Sequence, residues 1–216
     1  MKKKKIFLWE YNGSNWTIDN TPFTEHKGSV EDIQWSPTEP NGFASCSVDK
    51  TLRIWDCRNK KGSLATINAH QSDVNVISWH KNIPYLILSG SDDGDFKVWD
   101  MRAWKDSTPY ASFNFHKKAI TSVEWSSFDE NLFAVSSADN SVSLWDMSLY
   151  EDEEDQKLNN SLKQNIPHQL MFLHMGQTDI KEVHFHPQIP GLVISTAADG
   201  FNFWRPSNIE VEKDDL

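Results

Sequence analysis

A strand–turn–strand unit that recurs about every 45 residues constrains the fold of this chain more than any other feature. Its copies occupy residues 43–56, 86–100 and 132–146, and all three end in Trp-Asp. In each copy a short run of alternating apolar and small or polar residues leads into a polar turn around an Asp, and a second alternating run follows. Alternation with a period of two on both sides of a tight polar turn predicts an antiparallel hairpin.

The length of the repeat indicates the fold class. About 45 residues hold four short strands, which is typical of a propeller blade and not of a helical repeat. The copies resemble WD repeats, and this resemblance implies an all-β propeller whose inner strands end at Trp35, Trp79 and Trp125, between packed blades. We therefore predict a partial WD-repeat β-propeller with about four and a half blades of an expected seven.

The repeats and the segments between them form one predicted propeller segment over residues 1–216. The stretch after Asp146 is acidic, rich in Asn and poor in apolar residues, which is typical of an inserted loop. The sequence QLMFLH beyond it is taken as the start of a fourth, irregular repeat. The predicted boundaries are a half blade at 6–25, blades at 26–69 and 70–115, a blade core at 116–150, an acidic loop insertion at 151–166, a degenerate last blade at 167–208 and a tail at 209–216.

Every full repeat carries a His before its inner strand, a Ser two residues before the turn Asp, the Asp itself and a Trp six residues after it. One such set resembles a hydrolase triad, but three copies at one spacing favour a structural role, because an enzyme needs a single site. The resemblance to WD repeats implies a buried hydrogen-bond chain from the Trp indole through the hydroxyl and the imidazole to the Asp. The predicted sets are His26, Ser47, Asp49 and Trp55; His70, Ser91, Asp93 and Trp99; and His116, Ser137, Asp139 and Trp145.

The choice of hydroxyl has one alternative. Ser45 and Ser89 lie four residues before the turn Asp, but Val135 takes that place in the third repeat, and this favours the Ser two residues before the Asp. In the fourth repeat Gly176 replaces the His and Ala197 replaces the Ser, so we expect that repeat to lack the chain and to be less rigid. No unique nucleophile and base remain, and we predict no catalytic residue, no cofactor and no enzymatic activity.

The charge of the chain indicates the kind of partner that it meets. A formal net charge of −10 argues against direct binding of nucleic acid and fits a basic protein partner, although acidity that only aids solubility is an alternative. His184 and His186 alternate on one strand, but no Cys or acidic residue has the spacing of a metal site. No apolar run approaches the roughly 18 residues of a membrane helix.

Three long strings carry a closer resemblance: EHKGSVEDIQWSPTEPNGFASCSVDKTLRIWD, AHQSDVNVISWH and PHQLMFLHMGQTDIKEVHFHPQIPGLVISTAADGF. They are similar to the carboxyl-terminal half of the glutamate-rich WD-repeat proteins, which are kin of the histone-binding retinoblastoma-associated propellers. The resemblance implies a nuclear and nucleolar factor that escorts a ribosomal protein of the large subunit during ribosome assembly. It also implies histone binding as an alternative function.

Two consecutive repeats end in Trp-Asp-x-Arg. This ending resembles the signature of propellers that cullin ubiquitin ligases recruit as substrate receptors, which gives a third candidate function. An Asp–Arg pair within each blade is the competing interpretation. The residues concerned are Asp56, Arg58, Asp100 and Arg102.

Two acidic regions are candidate binding sites for a basic partner. The resemblance to the histone-binding kin implies a docking face at the end of the propeller that carries the turn Asp residues, where we expect Glu31 and Asp92 to pair with Lys or Arg of the partner. The full predicted set on this face is Glu31, Asn75, Asp92, Thr121 and Lys181. The second region is either a solvated loop or a docking arm, and it comprises Glu151, Asp152, Glu153, Glu154 and Asp155.

An open array of blades exposes apolar faces and an unpaired strand edge. Further blades of the same gene product, a second copy packed end to end, or a ring with fewer blades would each cover these surfaces. We expect the chain to be a fragment of a longer protein and to self-associate or borrow a strand when isolated.

Overall fold

The computed structural model describes residues 4–149 and 166–208. Over these ranges the chain consists of antiparallel strands and one short 3₁₀ helix, Met101–Asp106. It divides into two compact units, Met1–Ile120 and Thr121–Leu216. The all-β prediction is confirmed, and the consecutive antiparallel sheets are those of a partial β-propeller.

The first unit contains one two-stranded sheet and two four-stranded sheets. The two-stranded sheet pairs β1 (Trp9–Tyr11) with β2 (Trp16–Ile18), and Ile6 adds an isolated bridge to Phe23. The next sheet is formed by β3 (Val30–Trp35), β4 (Gly42–Ser47), β5 (Thr51–Asp56) and β6 (Ala65–Asn68). The third is formed by β7 (Val74–Trp79), β8 (Leu86–Ser91), β9 (Asp95–Asp100) and β10 (Ala111–Asn114).

The polar turn between the second and third strands explains why each hairpin forms where it does. The Asp49 carboxylate accepts a hydrogen bond from the backbone N–H of Thr51 at 3.1 Å, and Asp139 does the same for Ser141 at 3.1 Å. The residue after each Asp is left-handed, with φ of 71° at Lys50 and 72° at Asn140. An Asp that caps its own turn therefore reverses the chain tightly enough for the flanking strands to pair.

Polar side chains of β3 connect the two four-stranded sheets of the first unit. Asp32 accepts a hydrogen bond from the backbone N–H of Ile77 at 3.0 Å, and Gln34 accepts one from that of Trp79 at 2.7 Å. Trp79 is buried in the apolar core between the sheets, as predicted for the Trp at the end of an inner strand. Trp35, at the equivalent position of β3, is 58% exposed, which contradicts the prediction that it packs between blades.

The second unit contains one four-stranded and one three-stranded sheet. The first is formed by β11 (Ile120–Trp125), β12 (Leu132–Ser137), β13 (Ser141–Asp146) and β14 (Leu170–Met175). The second is formed by β15 (Ile180–Phe185), β16 (Val193–Ala197) and β17 (Gly200–Trp204). Glu124 of β11 accepts a hydrogen bond from the backbone N–H of Phe185 at 2.7 Å, so an inner-strand side chain connects two sheets here as well.

The strand β14 corrects one prediction. QLMFLH was expected to begin the last blade, but Leu170–Met175 pairs with β13, from Ser141 opposite Met175 to Trp145 opposite Leu170. The insertion therefore separates two strands of the same sheet and not two blades. The physical reason is that β13 offers a free backbone edge, and β14 takes on it the place that β6 and β10 occupy in the first unit.

Candidate protein-binding surface

The first repeat holds its buried polar groups in one continuous hydrogen-bond chain. The indole Nε1–H of Trp55 donates to Ser45 Oγ at 2.8 Å, and Ser45 Oγ lies 2.7 Å from His26 Nε2. His26 Nδ1 lies 2.9 Å from Asp49 Oδ2. Burial raises the pKa of Asp49, but hydrogen bonds from His26, Thr51 and the Lys27 backbone outweigh it and hold this pKa well below its usual range.

The predicted set is wrong at one residue: the hydroxyl in the hydrogen-bond chain of the first repeat belongs to Ser45 and not to Ser47. Strand register explains the difference: Trp55 lies opposite Phe43, so Ser45 is two residues away along β4 and Ser47 is four. At about 3.3 Å per residue, Ser47 is roughly 13 Å along the strand and beyond the reach of the indole. The Ser47 hydroxyl instead accepts the backbone N–H of Asp49 at 3.1 Å and supports the turn.

The second repeat uses Ser89 in the same way, and it lacks the predicted link between His70 and Asp93. Trp99 Nε1 donates to Ser89 Oγ at 2.9 Å, and His70 Nε2 lies 2.7 Å from the same oxygen. Within the described residues the buried Nδ1 of His70 has no hydrogen-bond partner. Burial, reinforced by the charge of Lys97, lowers the pKa of His70 to about 3, so the imidazole is neutral.

Asp93 does not bond to His70, because its carboxylate is occupied by groups of its own turn. The hydroxyl of Ser91, which was predicted for the chain, donates to the Asp93 carboxylate, and the backbone N–H of Asp95 adds a bond of 3.3 Å. In the first repeat the residue two places after the Asp is Thr51, whose hydroxyl donates to Asp49 at 2.5 Å. Asp95 replaces that donor with a second negative charge. Burial raises the pKa of Asp95, and the neighbouring charge of Asp93 raises it further.

The third repeat takes its hydroxyl from the neighbouring strand. Trp145 Nε1 donates to Ser143 Oγ at 2.7 Å, whereas the predicted Ser137 accepts the backbone N–H of Asp139 at 3.1 Å. Ser143 lies directly opposite Val135 in the register of β12 and β13. Val135 cannot supply a hydroxyl, but Ser143 supplies one from the opposite strand of the hairpin.

The last repeat keeps a hydrogen-bond chain, contrary to the prediction that it had lost one. Ser195 donates to the side-chain oxygen of Gln177, and Trp204 Nε1 donates to Ser195 Oγ at 3.3 Å. Ser195 lies four residues before Asp199, the spacing of Ser45 and Ser89. The His was expected at the position of Gly176, and Gln177, one residue later, takes the place of its imidazole. Ser45, Ser89 and Ser195 are fully buried, so these hydroxyls stabilise the blades and are not exposed nucleophiles.

The predicted docking residues occupy a common backbone feature. Glu31, Asn75 and Lys181 each sit at an irregularity in the pairing of an inner strand, between residues 30 and 32, 74 and 76, and 180 and 182. Such bulges re-aim a side chain and often border functional sites. Glu31 is exposed, whereas Lys181 is held by Asp179 at 2.6 Å. Thr121, the remaining predicted member, pairs its hydroxyl with Ser136 at 2.8 Å.

The turn of the second repeat forms an acidic patch, defined as Asp92, Asp93 and Asp95. The structure brings Asp92 to Asn75, whose side-chain amide lies 3.5 Å from the Asp92 carboxylate, and Asn114 donates to Asp95 at 2.6 Å. Within the described residues no Lys or Arg forms an ion pair with the patch. Asp95 escaped the sequence reasoning, although an Asp in place of Thr51 is a visible signal.

The Trp-Asp-x-Arg endings form internal pairs. Arg58 contacts Asp56 through two nitrogens, with Nη2 at 2.7 Å, and Arg102 contacts Asp100 in the same way, with Nη2 at 2.6 Å. Hydrogen bonds from Arg58 lower the pKa of Asp56 to about 2. The Arg102 guanidinium also lies over the Tyr85 ring, 3.6 Å from its centroid. Both guanidinium groups remain exposed.

The acidic stretch Glu151–Asp155 lies outside the described residues. Within the described ranges, no group of three or more His, Cys, Asp or Glu side chains is arranged to hold a metal ion. In the same part of the chain, no helix is long and apolar enough to cross a membrane.

The repeats, their buried hydrogen-bond chains and the four-stranded sheets define the class of protein. The family model described as "WD domain, G-beta repeat" matches residues 18–56, 61–100 and 107–146. The chain therefore belongs to the WD-repeat family.

Three relatives define its place within that family. The chain is 62% identical over 208 residues to glutamate-rich WD repeat-containing protein 1 of Dictyostelium discoideum, a match that covers 95% of this chain and 43% of the relative. It is 49% identical over 208 residues to the ribosome assembly protein rrb1 of Schizosaccharomyces pombe, covering 93% and 43%. It is 47% identical over 216 residues to protein HEAT STRESS TOLERANT DWD 1 of Arabidopsis thaliana, covering 96% and 46%.

These matches fit a glutamate-rich WD-repeat ribosome assembly protein, and they confirm the resemblance found in the sequence. The chain spans less than half the length of each of these relatives, between 43% and 46%.

Proposed function

We propose that this chain is a non-catalytic scaffold that binds a basic ribosomal protein during ribosome assembly in the nucleus and nucleolus. The observation that carries the proposal is the acidic patch Asp92, Asp93 and Asp95. The nearby imidazole of His70 does not offset its charge, because this imidazole is neutral and unlinked to Asp93. An exposed group of carboxylates without a cationic partner attracts Lys and Arg side chains.

The ribosomal setting and the basic partner are supported by different observations. The ribosomal setting rests on the name of one relative, the ribosome assembly protein rrb1. The basic partner rests on the patch, on the exposed Glu31 in the first unit, and on the net charge of −10. A partner with clustered Lys and Arg would gain association rate and specificity from this field.

The experiment is a binding panel with purified components at physiological salt. The chain is immobilised and presented separately with basic ribosomal proteins of the large subunit, with core histones and with the adaptor subunit of a cullin ubiquitin ligase. The proposal expects one ribosomal protein to bind at least tenfold tighter than the histones and the adaptor. Preferential binding of histones would assign the chain to chromatin escort, and binding of none of the ribosomal proteins would refute the proposal.

A second candidate function, substrate reception for a cullin ubiquitin ligase, has one observation in its favour. The exposed guanidinium groups of Arg58 and Arg102 are held in matching orientations by Asp56 and Asp100 in consecutive repeats. A paired array of this kind suits a partner surface that spans two blades. In the panel, adaptor binding that is lost when both arginines are replaced by Ala would favour this function.

A further inference from the structure

A cleft of about 330 Å³ opens in the first unit, at the strand ends opposite the turn Asp residues. The register places it there, because Gly42 pairs with Asp56 and Leu86 pairs with Asp100 at the far ends of the two hairpins. The acidic patch and Glu31 belong to the other end of the same strands. The cleft is therefore a separate feature from the surface proposed above.

The wall of the cleft is apolar, and its shape is fixed by the backbone. Ile54, Leu64, Trp79, Pro84 and Met101 line it. Leu64 is 59% exposed, and its backbone N–H donates to Ile54 at 2.7 Å. The N–H of Met101 donates to the carbonyl of Tyr85 at 2.8 Å, and Trp79 Nε1 donates to the carbonyl of Pro84 at 2.8 Å. These bonds fix the positions of the lining residues, and the exposed Leu64 side chain borders a preformed hollow.

The charged side chains on the rim of the cleft leave it with a net negative charge. Asp56 and Arg58 line it but neutralise each other through their two-nitrogen contact. Glu39 also lines it and is exposed, and within the described residues its carboxylate has no hydrogen bond or ion pair. The backbone of Glu39 is anchored, because its N–H donates to Ser36 Oγ at 3.0 Å and its carbonyl accepts from Gly42 at 2.9 Å. The side chain of Glu39 therefore projects from a fixed backbone position.

We propose that this cleft docks a short extended segment of a protein partner in which an apolar side chain lies next to a Lys or Arg. The apolar side chain fills the hollow between Leu64 and Met101, and the cation pairs with Glu39. A volume of about 330 Å³ is at the small end of ligand pockets, which suits one or two side chains. The site would give a partner a second anchor at the face away from the acidic patch.

The test follows the methyl signal of Met101 by NMR in protein labelled at methionine methyl groups. The probes are two blocked tetrapeptides, acetyl-Gly-Leu-Lys-Gly-amide and acetyl-Gly-Leu-Glu-Gly-amide. We expect saturable shifts of the Met101 signal, with the Lys peptide binding roughly two- to fivefold tighter, as one exposed ion pair allows. Leu64→Ser should weaken both peptides equally, whereas Tyr110→Ser, the equivalent exposed position before β10, should change neither.

Charge reversal separates the two parts of the proposal. Glu39→Lys should reverse the preference between the peptides, while Asp129→Lys, at the corresponding position of the turn before β12, should preserve it. An unmoved Met101 signal, or equal affinities for the two peptides that Glu39→Lys leaves unchanged, would overturn the proposal. Either result leaves the function proposed for the acidic patch intact, because no variant used here touches that patch.

Discussion

Replacing Ser45 by Ala tests the buried hydrogen-bond chain at its central atom. The Ser45 hydroxyl donates to His26, because Asp49 fixes the imidazole proton on Nδ1, and it accepts from Trp55. Both partners are buried, so the Ala variant leaves an indole N–H and an imidazole nitrogen without partners. At about 1–3 kcal/mol for each unsatisfied group, we expect a loss of about 3 kcal/mol in the free energy of unfolding.

The matched control is Ser47→Ala, two residues along the same strand. Ser47 is also fully buried, but its hydroxyl makes the bond to the Asp49 backbone in the turn. One such bond contributes about 1 kcal/mol. For a chain of this length the Ser45 variant should melt roughly 6–12 °C below wild type and the Ser47 variant roughly 2–4 °C below.

Thermal melting followed by tryptophan fluorescence and circular dichroism measures the difference. A larger loss for Ser47→Ala than for Ser45→Ala would refute the register argument and restore the set predicted from sequence. Ser195→Ala extends the test to the last repeat. It should lower the stability by about 1–2 kcal/mol, because the Trp204 bond is longer at 3.3 Å.

Three further predictions concern titration, the acidic insertion and association. Folding lowers the pKa of His70 to about 3, so below the ordinary pKa of 6.5 the unfolded chain binds a proton that the folded chain does not. The free energy of unfolding should therefore fall by up to about 1.4 kcal/mol for each pH unit below 6.5. In melting experiments between pH 7 and 5, the stability of His70→Gln should depend less on pH than that of the wild type. If residues 151–155 act as a docking arm, deleting 151–160 should weaken binding of the ribosomal partner and flatten its salt dependence in titrations; an unchanged affinity would remove the arm from the site. The exposed Trp35 and Phe203 favour self-association of the isolated chain, so light scattering should give a mass above 24.9 kDa, and a clean monomer with a cooperative melt would contradict this.

Local patterns in the sequence were sufficient to predict the hairpins. The turn Asp residues, the alternation around them and the Trp-Asp endings all depend on neighbours within a few positions, and the structure places each predicted hairpin on the expected residues. The choice of Ser45 over Ser47 depended on which residue lies opposite Trp55. Ser143 could replace the absent hydroxyl only because it faces Val135 across the hairpin. Register is a property of two strands, and spacing along one strand does not reveal it.

The remaining differences have similar causes. The strand β14 was assigned to the wrong sheet because a long insertion interrupts the rhythm of the repeat, and only the pairing with β13 shows that the blade continues beyond it. Gln177 was missed because an amide can take the place of an imidazole beside Ser195. The missing bond between Asp93 and His70 could not be predicted, because it depends on the hydrogen bonds that Ser91 and Asp95 make to the Asp93 carboxylate.

The most direct test of the central claim is calorimetric titration of the chain with the basic ribosomal protein selected by the panel. The test variant combines Glu31→Lys with Asp92→Lys. The control variant combines Glu10→Lys with Asp106→Lys, which makes the same charge change at exposed positions elsewhere in the first unit. The account predicts a loss of about 2 kcal/mol or more, roughly 30-fold in Kd, for the first variant, and a much smaller change for the second. Equal affinity of the first variant and the wild type would contradict it.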